Sequence, residues 1–327
     1  MKLIGCLFLA FYLAAAPAGA SACSVFMWSD GRESIFANNE DSPVGDESVF
    51  TFVPASAAAY GYFYMKFPSL TEPFMADYPQ GGMNEKGLAY DITATPLLKQ
   101  VEVNIPEATP YSGGNIMELV LKKAATVDEA VALIKKYKAS ENIRKAAGVS
   151  EFRQMQVLLA DRYGDAAVVG VAPDGGLAVT GKTGKYRVVT NFSLAQPGNS
   201  AVSEKTRFDT ATEALKGMKK ASVGAMRSLL AAVHVEGMAS TLYSTIYDLR
   251  SLDINIYNFH DYEYVKKIDL KAELSKGEHS IPLAELFRDR PLFSLRSMTE
   301  MAASVRSRQE KYLQGQKELA TRPKDGK

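Results

Sequence analysis

The stretch that decides the fold is Cys23-Ser24-Val25-Phe26-Met27-Trp28-Ser29-Asp30-Gly31-Arg32-Glu33-Ser34-Ile35-Phe36-Ala37-Asn38-Asn39-Glu40-Asp41. Cys23 to Trp28 reads as a strand, Ser29-Asp30-Gly31-Arg32 as a turn, and Ser34 to Ala37 as the return strand, running into the polar cluster Asn38-Asn39-Glu40-Asp41-Ser42-Pro43. Arms of similar length bring Asp41 back to the end that carries Cys23. A cysteine and a carboxylate at one end of a β-hairpin are the first hint of chemistry.

Upstream lies the anatomy of a secretory signal. Lys2 is a positive n-region, Leu3 to Ala16 an apolar run, and Ala20-Ser21-Ala22 an A-x-A cleavage pattern. The apolar run is short of the ~20 residues a membrane span needs. Cleavage after Ala22 is expected, leaving a soluble secreted or periplasmic chain that starts at Cys23. A competing reading is a lipoprotein anchored through Cys23, but Ala20 stands where a lipidation box carries a larger residue. The chain has two cysteines, Cys6 and Cys23. Removal of residues 1–22 leaves one, and a secreted chain with one thiol cannot close an internal disulfide.

The bulk numbers exclude some classes. Of 327 residues, 38 are basic and 37 acidic, for a net charge of +1. Nothing in that balance attracts nucleic acid or an anionic bilayer. Hydrophobic residues at 46% are ordinary for a globular domain. No segment after residue 23 is long and apolar enough for stable membrane insertion. Homo-oligomerisation is left open.

Further along, 48–66 and the run Gly81-Gly82-Met83-Asn84-Glu85-Lys86-Gly87-Leu88-Ala89-Tyr90 read as strands, the latter folded at a tight turn where Gly87 supplies φ > 0. Ile116, Leu119 and Val120 mark a helix, and Thr126-Val127-Asp128-Glu129 opens a second with a capping box. Residues 156–161, 166–171, 176–179 and 186–191 form hairpins, 203–216 and 222–234 are helical, and 241–268 return to strand. This order predicts an α+β fold with two antiparallel sheets stacked between helical layers. One domain is expected over 23–297, followed by a charged tail over 298–327 whose end, from Thr321, reads as disordered.

An N-terminal cysteine carries its own base, because an α-amine titrates near about 7.7–8.0 beside the thiol. No histidine is needed, and His234, His260 and His279 are scattered with no metal-ligand spacing, so no metal or cofactor is expected. Tyr60, Tyr62, Phe63 and Tyr64 could line an acyl pocket, with core packing the commoner use.

Cys23, Asn39-Glu40-Asp41, Gly82-Met83-Asn84-Glu85-Lys86-Gly87-Leu88, Thr190-Asn191 and Ser203-Glu204-Lys205-Thr206-Arg207-Phe208 fall in an order that resembles choloylglycine hydrolases and penicillin V acylases. The wider group includes isopenicillin N acyltransferase-like and acid ceramidase-like enzymes. These are N-terminal nucleophile (Ntn) hydrolases with a four-layer αββα sandwich. The resemblance implies that Cys23 attacks a linear amide and forms a thioester. It implies that Asp41 holds the α-amine, that Arg207 lies near the nucleophile, and that Asn191 donates to the oxyanion. The substrate it implies is a small N-acyl amide of penicillin V, bile-salt or N-acyl amino acid type. Two departures qualify this. Asn38 and Asn39 stand where the family often has arginine, and no asparagine follows the GMNEKGL turn, so Asp91, Thr93 or a backbone N–H takes that place. Asp91, Tyr60 and Tyr62 are the candidate substrate-binding residues. Acyl transfer to an amine, and a non-catalytic binding module, are the alternatives.

Overall fold

A computed structural model describes residues 23–43, 48–66, 79–95, 105–139, 155–198, 200–236 and 239–290. The expected signal segment (1–22) and charged tail (298–327) lie outside the described residues.

The first hairpin forms as its sequence requires. Strands β1 (Ser24–Ser29) and β2 (Ser34–Pro43) pair antiparallel from Ser29 opposite Ser34 to Ser24 opposite Asn39. The polar cluster expected to end the return strand is itself strand. Asn38 to Pro43 also pair with β13 (Ala239–Asp248), which satisfies the backbone of a polar run that would otherwise leave the sheet. Around this pair a six-stranded antiparallel sheet is built in the order β12-β1-β2-β13-β14-β15, with β12 at Tyr186–Val189, β14 at Asp253–Asn258 and β15 at Val265–Asp269.

A second sheet has eight strands in the order β11-β10-β9-β6-β5-β4-β3-β16. It comprises β3 (Val49–Val53), β4 (Tyr62–Lys66), β5 (Gly81–Asn84), β6 (Ala89–Ala94), β9 (Met155–Ala160), β10 (Ala166–Val171), β11 (Leu177–Gly181) and β16 (His279–Pro282). A short parallel pair, β7 (Thr109–Tyr111) with β8 (Tyr137–Ala139), stands apart.

Alternation along the strands makes three cores. Val25 and Met27 of β1, Phe63 and Met65 of β4 and Leu158 of β9 meet between the sheets. Tyr62, Tyr90 and Leu159, on the other face of the eight-stranded sheet, pack under helices α1 (Ile116–Lys123) and α2 (Val127–Lys136). Phe26, Trp28 and Ile246, on the outer face of the six-stranded sheet, pack under α3 (Val202–Gly217) and α4 (Val223–Ala232). The result is the αββα sandwich. The Thr126–Glu129 capping box that opens α2 is present on both sides. Two short helices, α5 (Leu270–Leu274) and α6 (Leu283–Leu286), flank β16.

The GMNEKGL turn has a structural explanation. Asn84 Oδ1 accepts the N–H groups of Lys86 and Leu88, while its Nδ2 donates to Leu121 O (2.9 Å) and Ala124 O (2.7 Å) at the end of α1. Gly87 sits at φ +78°, where a Cβ would lie 2.1 Å from Leu249 O. One asparagine and one glycine thus join the β5–β6 turn to the helical layer on one side and the β13–β14 turn on the other.

Candidate active site

Cys23 immediately precedes the first strand and is buried. The strand period places its side chain with Val25 and Met27, between the sheets. One step beyond the last hairpin pair its partner is Glu40, and the thiol donates to Glu40 Oε1 (3.5 Å) and to Asp41 O (3.9 Å). Glu40 was missed as a site residue, although the turn centred on Gly31 and Arg32 fixes residue 40 as the residue facing Cys23.

Asp41 points the opposite way, toward α3. Its Oδ1 accepts from Thr241 (2.5 Å) and its Oδ2 lies 3.8 Å from Arg207 Nη1. Arg207 is itself buried, on the inner side of α3. It donates to Cys23 O (3.0 Å), Ser24 Oγ (2.7 Å) and Asn191 Oδ1 (3.2 Å). The helix is held in place by Thr190, whose hydroxyl donates to Glu204 O (3.1 Å). Asn191 Nδ2 donates to Ala94 O (3.1 Å), so its amide bridges the two sheets. The structure therefore brings together Cys23, Asp41, Asn191 and Arg207, residues separated by up to 184 positions.

The inter-sheet face around the thiol is polar and incompletely satisfied. Asp91 of β6, fully buried, lies on this face, where Gly81 opposite it leaves room: a Cβ at Gly81 would stand 2.3 Å from Asp91 Oδ2. Neither Asp91 oxygen accepts a hydrogen bond, and the nearby Ile92 N–H is donated to Gln80 O (3.0 Å). Glu40 Oε2, Asn38 Nδ2 and Thr93 Oγ1 are likewise buried without hydrogen bonds, while Asn38 Oδ1 takes the Thr245 hydroxyl. Polar atoms are rarely buried unmatched, and several of them share the inter-sheet face with the one thiol, which makes this face the candidate ligand site.

The electrostatics follow from this. Burial first, then the carboxylates of Glu40 and Asp41, push the Cys23 thiol well above its ordinary value. Burial and the neighbouring Asp41 raise Glu40 to about 8. Burial raises Asp41 to about 7, held down in part by Arg207 and Thr241. Asp91 is raised well above the usual range by burial and by Glu40.

Two expected substrate residues lie elsewhere. Tyr62 faces the helical layer, its hydroxyl donating to Glu118 Oε1 (2.6 Å), because even-numbered positions of β4 turn away from the inter-sheet face. Tyr60 is half-buried, with its ring under Lys86 Nζ (4.9 Å). Of the aromatic cluster 60–64, Phe63 is the residue that faces the inter-sheet core. The histidines are not all scattered either. His234, Glu236 and His260 bring ligand-type atoms within 4.8 Å of one another, a donor set that could hold a metal and that sequence spacing hid. It lies outside the thiol site, linked to it through Val235 and Thr241.

Residues 54–195 match the family described as linear amide C–N hydrolases, choloylglycine hydrolase family. No curated protein sequence matches the chain. Among solved structures, a mutant of conjugated bile acid hydrolase from Clostridium perfringens superposes with a TM-score of 0.56 at 16% identity, covering 80% of this chain and 96% of that one. Penicillin V acylase from Agrobacterium tumefaciens gives the same TM-score at 19% identity, covering 80% and 91%. At such identities these likenesses speak to the fold.

Proposed function

We propose that this chain is a linear amide C–N hydrolase of the choloylglycine hydrolase family, whose model matches residues 54–195, and that it is exported, loses residues 1–22, and uses the thiol and freed α-amine of Cys23 to hydrolyse a small N-acyl amide. The observation that carries this reading is the position of Cys23. The one cysteine after residue 22 stands at the head of β1, with its thiol against Glu40 and its carbonyl on Arg207.

A thiol held well above its ordinary pKa stays protonated at neutral pH, so attack requires a base to remove the proton as the S–C bond forms. The α-amine on the same residue is that base, and it then hands the proton to the departing amine nitrogen. Water attacks the thioester in the second half, returning a proton to sulfur. Asp41 positions the amine end of Cys23, and Arg207 fixes the Cys23 carbonyl and the Asn191 side chain in one hydrogen-bonded frame. Asn191 Nδ2 serves the oxyanion by exchanging Ala94 O for the substrate oxygen. Asn38 Nδ2, on the inter-sheet face and without a hydrogen bond, is positioned to be the second donor.

The test is the mass of the exported protein's N-terminus together with a Cys23→Ala variant. The expected result is a chain beginning at an unmodified Cys23, and loss of amide hydrolysis by at least about a thousandfold in the variant. A terminus elsewhere, or a fatty-acylated Cys23 amine, removes the base and overturns the mechanism.

A further inference from the structure

We infer that the amide substrate carries a positive charge on its amine side, held by Glu40 and Asp91. The inference rests on the hydrolase reading and adds the charge class of the substrate.

Three carboxylates are buried around Cys23, with Glu40 3% exposed and Asp41 and Asp91 fully enclosed. Among the described residues one guanidinium, that of Arg207, reaches this group, and it is committed to Asp41, the Cys23 carbonyl, Ser24 and Asn191 on the α3 side of the sheet. Glu40 and Asp91 are on the other side, facing the space between the sheets where the thiol points. Glu40 uses one oxygen for the thiol and leaves Oε2 without a partner, and Asp91 leaves both oxygens so. Glu40 raises the proton affinity of Asp91. Besides Cys23 and Asp41, the titratable groups that sense them are Tyr243 and Tyr247 of β13, neither of them a cation.

Two carboxylates buried without a counter-ion are costly, and either a proton or a cation relieves them. Once either carboxylate ionises, a leaving group bearing a carboxylate or sulfonate is repelled at this face. An ammonium attached a few atoms from the scissile nitrogen would meet Asp91 and Glu40 Oε2 and take the place of the protons they hold. Asn38, beside them, adds a neutral amide and no positive charge that could reverse this preference. The substrate class is an N-acyl diamine or a related cationic amide rather than an N-acyl amino acid.

The experiment compares amides of ethylenediamine, ethanolamine and glycine carrying the same octanoyl or phenylacetyl group, thus cationic, neutral and anionic at pH 7.5. The expected order of kcat/KM is cationic, neutral, anionic, with roughly tenfold per step, the size of one charge contact. Asp91→Asn should bring the cationic-to-neutral ratio of kcat/KM close to one, whatever its effect on the neutral amide alone. Glu40→Gln should lower the same ratio, which covers the case in which Asp91→Asn fails to fold. KM for the cationic amide should fall as pH rises through about 8, where Glu40 gives up its proton, with no parallel change for the neutral amide. A glycine amide cleaved as well as the cationic one, or a ratio unchanged in both variants, overturns the inference. Should none of the amides be hydrolysed, the hydrolase reading fails, and the charge preference is still read by protection of Cys23 from iodoacetamide. Octylammonium is expected to protect and octanoate to have no effect; the reverse order, or no protection by octylammonium, overturns it.

Discussion

Replacing Arg207 by Met keeps the apolar stem under α3 and removes the guanidinium from the most connected position in the site. Three hydrogen bonds are lost, to Cys23 O, Ser24 Oγ and Asn191 Oδ1, together with the 3.8 Å ion pair to Asp41. Breaking a buried pair from one side typically costs about 3–5 kcal/mol. The cost should depend on pH in a direction that the structure fixes. With Arg207 present Asp41 titrates at about 7, so at pH 5 it is protonated and at pH 8 it is ionised beside the guanidinium. In the variant, without the guanidinium that lowers it, its pKa lies higher still and less of it is ionised at pH 8. The wild type gains more from ionisation, by about 1.4 kcal/mol for one pH unit above its pKa. Urea denaturation of the two proteins at pH 5 and pH 8 measures this. The destabilisation should be the larger at pH 8 by about 1–2 kcal/mol, and pairing the change with Asp41→Asn should remove that increment. A loss under about 1 kcal/mol, or one independent of pH, would refute the reasoning that Arg207 and Asp41 form a coupled buried pair.

Glu40→Gln should change the pH dependence of stability. The folded state keeps the Glu40 proton up to about 8, while the unfolded chain releases it near 4.5, so ionisation opposes folding across that window. Wild type should lose a few kcal/mol more than Glu40→Gln between pH 5 and 8.5 in urea melts, and parallel curves would contradict the assigned burial. Asn84→Ala should cost about 2–4 kcal/mol, because it strands two buried carbonyls of α1 and two N–H groups of the β5–β6 turn. Chemical denaturation checks it, and a change under about 0.5 kcal/mol would mean the turn holds without its asparagine.

Much of the architecture could be read from local pattern. Alternation in Cys23–Trp28 and Ser34–Ala37, the capping box at Thr126 and the glycine turn at Gly87 are short-range signals, and each produced the element it announced. The inter-sheet polar cluster could not be read in this way. Asp91 lies in a strand that reads as ordinary, and its enclosure depends on Gly81 across the sheet and on Cys23 and Glu40 from the other sheet. The face that Tyr62 takes was hidden for a related reason. Composition marks an aromatic strand but does not state which of its two faces looks at the thiol. His234 and His260 were invisible as a pair, since a helix end and a β-turn far apart in sequence bring them together.

By itself, the sequence determined a cysteine at the head of a hairpin, an alternating sheet pattern and the order of strands and helices, because these rest on neighbours within a few residues. Only the tertiary structure decided which side chains share the space with that cysteine. Arg207 meets Asp41 and Asn191 because α3 packs on the outer face of one sheet, and Asp91 feels the charge of Glu40 because the two sheets stack face to face. Charge in such a place depends on how much water the packing excludes, and no linear pattern of residues encodes that.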